Sequence, residues 1–110
     1  MYWKVDKKVA GYGEDVKLIC FSDDYSPTSK PMKRWSGGPA QDSLSLNGAP
    51  HNSEKYNATM EEKGFGLIIK NLTENDLNVT YKCNYGFNDF SNDTVLKAED
   101  VFLGRFTRLV

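Results

Sequence analysis

The feature that most constrains the fold is a pair of cysteines, Cys20 and Cys83, with Trp35 between them. Each cysteine closes a segment in which apolar and polar residues alternate, at 16–20 and at 79–83. Such alternation is typical of a strand with one buried face. Tyr81 stands two residues before the second cysteine. Two well-separated strands that both end on a cysteine therefore predict a β-rich domain.

The order Cys20, Trp35, Tyr81 and Cys83 resembles the pattern of the immunoglobulin superfamily, in its variable-type (V-set) or intermediate-type domains. The resemblance covers about residues 16–94 and includes the alternating segment 65–69. It implies an all-β fold, a two-sheet Greek-key sandwich of about 8–9 strands. It also implies that the two cysteines join the sheets, with the tryptophan packed on the bridge and Tyr81 forming the tyrosine corner.

The resemblance extends to Asp76, which matches an aspartate at the corner before the second cysteine. In the family this aspartate pairs with a base near the start of the fourth strand, here Lys55 or Lys63. In this sequence it stands one residue further from Cys83 than is usual, so the turn carries an insertion. The alternative is an exposed surface pair that contributes well under about 1 kcal/mol.

Four Asn-x-Thr sequons favour an extracellular protein, and they begin at Asn57, Asn71, Asn78 and Asn92. Two cysteines in a small domain fit one disulfide in an oxidising compartment. The alternative is a pair of free buried thiols, as in intracellular domains of the same fold. A bridge of this sequence separation is expected to stabilise the fold by about 4 kcal/mol in the chain-entropy model.

The 110 residues predict a single V-type domain, with a core over 2–103 and a tail over 104–110 that is a connector or a joining-like segment. Strands are expected at 2–9, 14–21, 32–36, 43–46, 55–60, 65–69, 79–83 and 94–102, with a hairpin loop at 88–93. Lys33 lies two residues before Trp35, so it should face inward unless the strand is bulged. We expect a trimmed ectodomain whose signal and membrane anchor lie outside this sequence.

The side-chain inventory argues against an enzyme, a cofactor and a metal site. His51 is the only histidine, and the two cysteines are expected to be bonded to each other. A net charge of −1 with interspersed acidic and basic residues lacks the basic face of a nucleic-acid binder. No apolar run reaches the roughly 20 residues that a membrane-spanning helix needs.

Recognition of a protein partner has residue-level support on the front sheet, the sheet expected to carry Trp35 and Cys83. Five residues are expected to form the binding face: Arg34, Lys82, Asn84, Phe87 and Phe90. The first three face outward if Trp35 and Cys83 face inward, because successive strand residues alternate between faces. Aromatic side chains at a loop tip are typical anchors for a partner, although they could instead fold back and cap the core.

These observations predict the extracellular recognition domain of an immune-type or adhesion receptor on the outer side of the plasma membrane. By resemblance, its partner is a protein, either another immunoglobulin-domain protein or a second copy in a homodimer. A secreted binder or decoy is the main alternative. A module of an intracellular filament protein is a third hypothesis, and it predicts free thiols and no glycan.

Overall fold

The computed structural model describes residues 1–26, 28, 30–87 and 89–104. These ranges form ten strands: β1 Tyr2–Val5, β2 Val16–Phe21, β3 Lys33–Gly37, β4 Asp42–Leu46, β5 Ala49–Pro50, β6 Tyr56–Met60, β7 Gly64–Ile69, β8 Thr80–Tyr85, β9 Asp89–Phe90 and β10 Thr94–Val95. A 3-10 turn covers Glu74–Asp76, and one short helix, α1, covers Ala98–Val101. The all-β prediction is confirmed.

The strands lie in two sheets. The back sheet has the order β1-β2-β7-β6, and the front sheet has the order β10-β8-β3-β4-β5, with β9 also paired to β8. Neighbouring strands in both sheets are antiparallel. The inward side chains of both sheets form one hydrophobic cluster between them. This arrangement confirms the predicted two-sheet sandwich.

The cysteines join the sheets at the centre of the core. Cys20 of β2 and Cys83 of β8 form a disulfide, and neither residue is exposed. Trp35 stands opposite Cys83 in the β3–β8 ladder and is only 1% exposed. Its ring lies 6.1 Å from the ring of Phe65, which stands opposite Cys20 in the back sheet. Aromatic packing therefore surrounds the bridge from both sheets.

Lys33 faces inward, as the alternation of β3 predicts, and is only 7% exposed. Its Nζ donates to the carbonyl oxygen of Pro31 at 3.1 Å and lies 5.7 Å from the centre of the Tyr85 ring. The bulge considered for this strand lies instead in β4, where Leu44 is the extra residue between two registered pairs. The Lys33 ammonium group is therefore stabilised at the edge of the core by a backbone carbonyl and an aromatic face.

The last predicted strand, 94–102, is wrong beyond Val95, because α1 follows it. Continued alternation would have placed Asp100 on the buried side with Leu96, whereas a helical turn leaves Asp100 exposed and still buries Val101. Ala and Glu are also depleted in strands. The hairpin loop predicted at 88–93 is wrong too, since Asp89–Phe90 pairs with β8. Asn88 and 105–110, and so most of the predicted tail, lie outside the described residues.

The first strand is shorter than the predicted 2–9. It ends at Val5, and the chain then crosses between the sheets, so that Val9 forms a parallel bridge with Phe102. The Val9 amide donates to the Val101 carbonyl, and the Leu103 amide donates to the Val9 carbonyl, both at 2.8 Å. These two bonds tie the end of the described chain to its beginning.

Candidate protein-binding face

One row of side chains crosses the outer face of the front sheet. Asn84 stands opposite Phe90 on one side and Arg34 on the other, and Arg34 stands opposite Leu46. Residues directly opposite one another on antiparallel strands point to the same face. Phe90, Asn84, Arg34 and Leu46 therefore form a continuous row, which we call the upper row, with an apolar residue at each end.

A second row, the lower row, lies one step down the same strands and carries Lys82, Ser36 and Ser43. Two contacts connect the rows diagonally. The Lys82 Nζ lies 4.5 Å from the centre of the Phe90 ring, within cation–π distance. The Arg34 Nε donates to the Ser43 Oγ at 3.3 Å. The two cations are thus held against the sheet by neutral groups.

The apolar members of this face are exposed. Phe87 is 88% exposed, Phe90 is 51% exposed and Leu46 is 38% exposed. Neither phenylalanine folds back to cap the core. Phe87 follows Gly86, whose positive φ of 75° turns the chain at the end of β8. Both rings are therefore exposed, Phe90 within the upper row and Phe87 in the turn after β8.

Leu46 was not among the residues expected from the sequence. Strict alternation along β4 would place Leu44 and Leu46 on the same side, with both buried. The bulge at Leu44 changes the alternation, so that Leu44 is buried and Leu46 faces outward beside Arg34. A β-bulge leaves no reliable signal in a single sequence, so this member of the face could not be found in advance.

The four sequon asparagines are all exposed, but they lie in different places. Asn57 stands opposite Ile68 on the outer side of the back sheet. Asn71 and Asn78 follow β7 and the 3-10 turn, and both have a positive φ, of 50° and 60°. Asn92 lies between β9 and β10, two residues after Phe90. Of the four, Asn92 is the one that lies close in sequence to the upper row, whereas the Asn78 amide donates to the Leu96 carbonyl oxygen at the opposite end of β8.

The base of β8 is fixed by a buried polar cluster, the lower corner. The Tyr81 hydroxyl donates to the Asp76 carbonyl oxygen at 2.9 Å. The Asp76 Oδ2 accepts from the Lys55 Nζ at 2.7 Å, from the Thr73 amide at 2.8 Å and from the Thr73 hydroxyl at 3.2 Å. Asp76 is 1% exposed, so the alternative of an exposed surface pair is wrong.

The electrostatics of the lower corner hold Tyr81 neutral. Burial raises the pKa of its phenol above the usual range, and the Asp76 carboxylate and Tyr56 raise it further. Trp3 closes the neighbouring edge of the sandwich, since its Nε1 donates to the Tyr81 carbonyl oxygen at 2.9 Å. These contacts set the position of β8 and therefore of Lys82 and Asn84 on the outer face.

Among the described residues, no group of three or more His, Cys, Asp or Glu side chains is placed to hold a metal ion. Within the same part of the chain, no helix has the length and apolar character needed to cross a membrane.

Comparison with known proteins relates this chain to others by fold. No family model matches the sequence, and no curated protein matches it. A solved structure that does match is a crystal structure of Dpr11 IG1 bound to DIP-gamma IG+IG2. The identity is 16%, the TM-score is 0.58, and the match covers 78% of this chain and 87% of the other. The chain has an immunoglobulin-like fold, in agreement with its two sheets and its Cys20–Cys83 disulfide.

Proposed function

We propose that this domain recognises a protein partner through the outer face of its front sheet. It would do so as the extracellular part of a cell-surface receptor of the immune or adhesion type. The observation that carries the proposal is the upper row, in which Phe90 and Leu46 flank Arg34 and Asn84 on adjacent strands. The mechanism is non-covalent binding of the partner to this face.

The composition of the face fits a binding hot spot. Aromatic and arginine side chains are enriched among the residues that dominate binding energy, particularly where neighbouring contacts exclude water. Phe90 and Arg34 are of these types and lie in one row. Arg34 lies on a strand that is paired on both sides, so the backbone beneath it needs little ordering when a partner binds, which lowers the entropic cost of association. Phe87, in the turn that follows β8, is a further exposed aromatic residue near one end of these strands.

The positions of the sequons support the same face. Glycans at Asn57, Asn71 and Asn78 would cover the back sheet and the lower end of the sandwich, away from the upper row. A glycan at Asn92 would stand next to Phe90 and would shift binding toward Arg34 and Lys82. The sequons and the disulfide both fit an extracellular location, and the matching structure contains an immunoglobulin-type domain in a protein complex.

The test is a binding screen with glycosylated protein from a secretory host. Tetramers of the wild-type domain would be applied to cells that each display one extracellular domain. Lys82→Glu and Phe90→Ala are expected to weaken any binding by at least about tenfold, equivalent to about 1.4 kcal/mol. Lys4→Glu and Ile68→Ala, on the outer side of the back sheet, serve as matched controls and should bind like the wild type. Equal losses from both pairs would contradict the proposal.

A further inference from the structure

The front-sheet face carries two cations without a carboxylate partner. All of the chain's Asp and Glu residues lie in the described ranges, and none comes within 4.0 Å of the Arg34 guanidinium or the Lys82 amine. Elsewhere, Lys17 is paired with Asp6 and Glu61, and Lys55 with Asp76. Other lysines without ion pairs exist, but Arg34 and Lys82 are half-buried on the two central strands. A partner on this face must cover both.

Covering these cations has an energetic consequence. An ionised group that loses its water is strongly destabilised unless a counter-charge or hydrogen bonds replace it. The neutral contacts that Arg34 and Lys82 already make, to the Ser43 hydroxyl and the Phe90 ring, leave their full positive charges uncompensated. A binding surface that supplied only apolar groups would therefore bind poorly, and one that supplied carboxylates would gain charge-assisted hydrogen bonds.

A second copy of the chain does not meet this requirement. A two-fold symmetric interface places the same patch on itself. Arg34 and Lys82 lie on neighbouring strands and on adjacent rungs, since Arg34 pairs with Asn84 and Lys82 with Ser36. A two-fold axis through the centre of the face would therefore bring Arg34 and Lys82 of both copies, four cations in all, close together. Like charges that face one another across an interface repel. Asp42, the carboxylate of β4, lies at the far end of that strand, opposite Gly37.

We propose, on the basis of the function proposed above, that the partner is a different protein, one that presents carboxylates between apolar side chains. Two copies of the chain are not expected to pair through this face, because the Arg34 and Lys82 cations of one copy would repel those of the other. The carboxylates would pair with Arg34 and Lys82, and the apolar groups would pack on Phe90 and Leu46.

The test uses a charge-reversed copy of the chain as a defined acidic probe. In the double variant Arg34→Glu/Lys82→Glu, the face keeps its apolar residues and acquires two carboxylates. The control, Lys4→Glu/Lys63→Glu, has the same net charge but leaves the front-sheet face unchanged. Both replace exposed or half-buried outward residues, and circular dichroism would verify that they fold. Analytical ultracentrifugation would then follow each protein alone and in equimolar mixture with the wild type.

We expect every protein alone to sediment as a monomer, and only the wild type mixed with the front-face variant to associate. That association should weaken by at least about tenfold as salt rises from about 50 to about 300 mM, because screening shortens the reach of the charges. A wild-type dimer that Phe90→Ala dissolves would overturn this inference and leave front-sheet recognition intact. An unassociated mixture, or equal association with the control variant, would overturn it as well. Failure of the proposed function itself would be seen separately, in the screen with front-sheet and back-sheet variants.

Discussion

At the lower corner, Lys55 donates to the buried carboxylate of Asp76 and to the carbonyl oxygens of Lys70 and Asn71. On the front-sheet face, Lys82 lies over the ring of Phe90, and no carboxylate of the described residues lies within ion-pair distance of its amine. The two lysines are chemically identical and lie in the same small domain. The difference is that Lys55 is paired with a carboxylate of its own chain, whereas Lys82 remains able to pair with a carboxylate of a partner protein.

This contrast separates stability from recognition. A buried ion pair with additional hydrogen bonds is strongly destabilising to break, because one partner is left without compensation. A half-exposed cation with neutral neighbours contributes little to folding and retains its capacity to bind. Substitutions in the lower corner should therefore change the free energy of unfolding, and substitutions on the face should change binding.

The largest expected effect comes from the bond that joins both sheets. Cys20→Ala/Cys83→Ala should lower the free energy of unfolding by about 4 kcal/mol, because the unfolded chain regains the entropy of an open loop. Urea unfolding followed by tryptophan fluorescence measures it. A loss below about 1 kcal/mol would show that packing around Trp35 alone holds the sheets together.

The second-largest expected effect is a loss of stability at the lower corner. Asp76→Ala should cost about 3 kcal/mol, since it leaves the Lys55 amine and the Thr73 amide without their buried acceptor. Asp93→Ala is the matched control, because Asp93 is exposed and close to the front-sheet edge. Its effect on urea unfolding should stay within about 0.5 kcal/mol. Similar losses for both would remove the distinction between the lower corner and the face.

A smaller effect tests the tyrosine of the lower corner. Tyr81→Phe should cost about 1 kcal/mol at neutral pH through loss of the hydrogen bond to Asp76. The folded-state pKa of Tyr81 is raised, so its contribution is complete below about pH 10, the unfolded value, and is lost as pH rises further. The wild type should therefore lose stability above about pH 10 more steeply than the variant. Tyr12→Phe, at an exposed ring, should leave the wild-type slope unchanged.

The smallest expected effect on stability is on the face itself. Phe90→Ala and Arg34→Ala should each change the free energy of unfolding by no more than about 0.5 kcal/mol, since both side chains point away from the core. The same variants should weaken partner binding by at least about tenfold, measured by surface plasmon resonance. A loss in the free energy of unfolding as large as that of Asp76→Ala would show that these residues stabilise the fold rather than serve recognition.

Much of the fold could be predicted from the sequence, because strand alternation assigns a direction to every side chain near a cysteine. Trp35 and Lys33 face inward, and Lys82 and Asn84 face outward, as that period requires. The Asp76–Lys55 pair is one of the two pairs that the family resemblance offered for Asp76, the other being with Lys63. Asn78, two residues after Asp76, adopts a positive φ of 60°, a conformation that asparagine tolerates better than most residues.

The parts that could not be predicted depend on local backbone irregularity. The bulge at Leu44 turns Leu46 toward the face, and nothing in the sequence of β4 distinguishes it from a regular strand. The chain after Val95 was expected to continue as a strand, but burial of both Leu96 and Val101 is satisfied by a helical turn. At β4 tertiary packing decides the structure, and after Val95 the low strand preference of Ala98 and Glu99 acts in the same direction as packing.

The parallel bridge between Val9 and Phe102 also has a consequence for the order of events during synthesis. Its two backbone bonds join residues from opposite ends of the described chain, so they close one of the longest loops in the molecule. Contacts of such wide sequence separation form late, because the entropy of closing the loop must be overcome first. During synthesis the edge beside Val9 stays open until the segment that carries Phe102 has emerged from the ribosome. A nascent chain stalled before Phe102 would therefore expose that edge to chaperones.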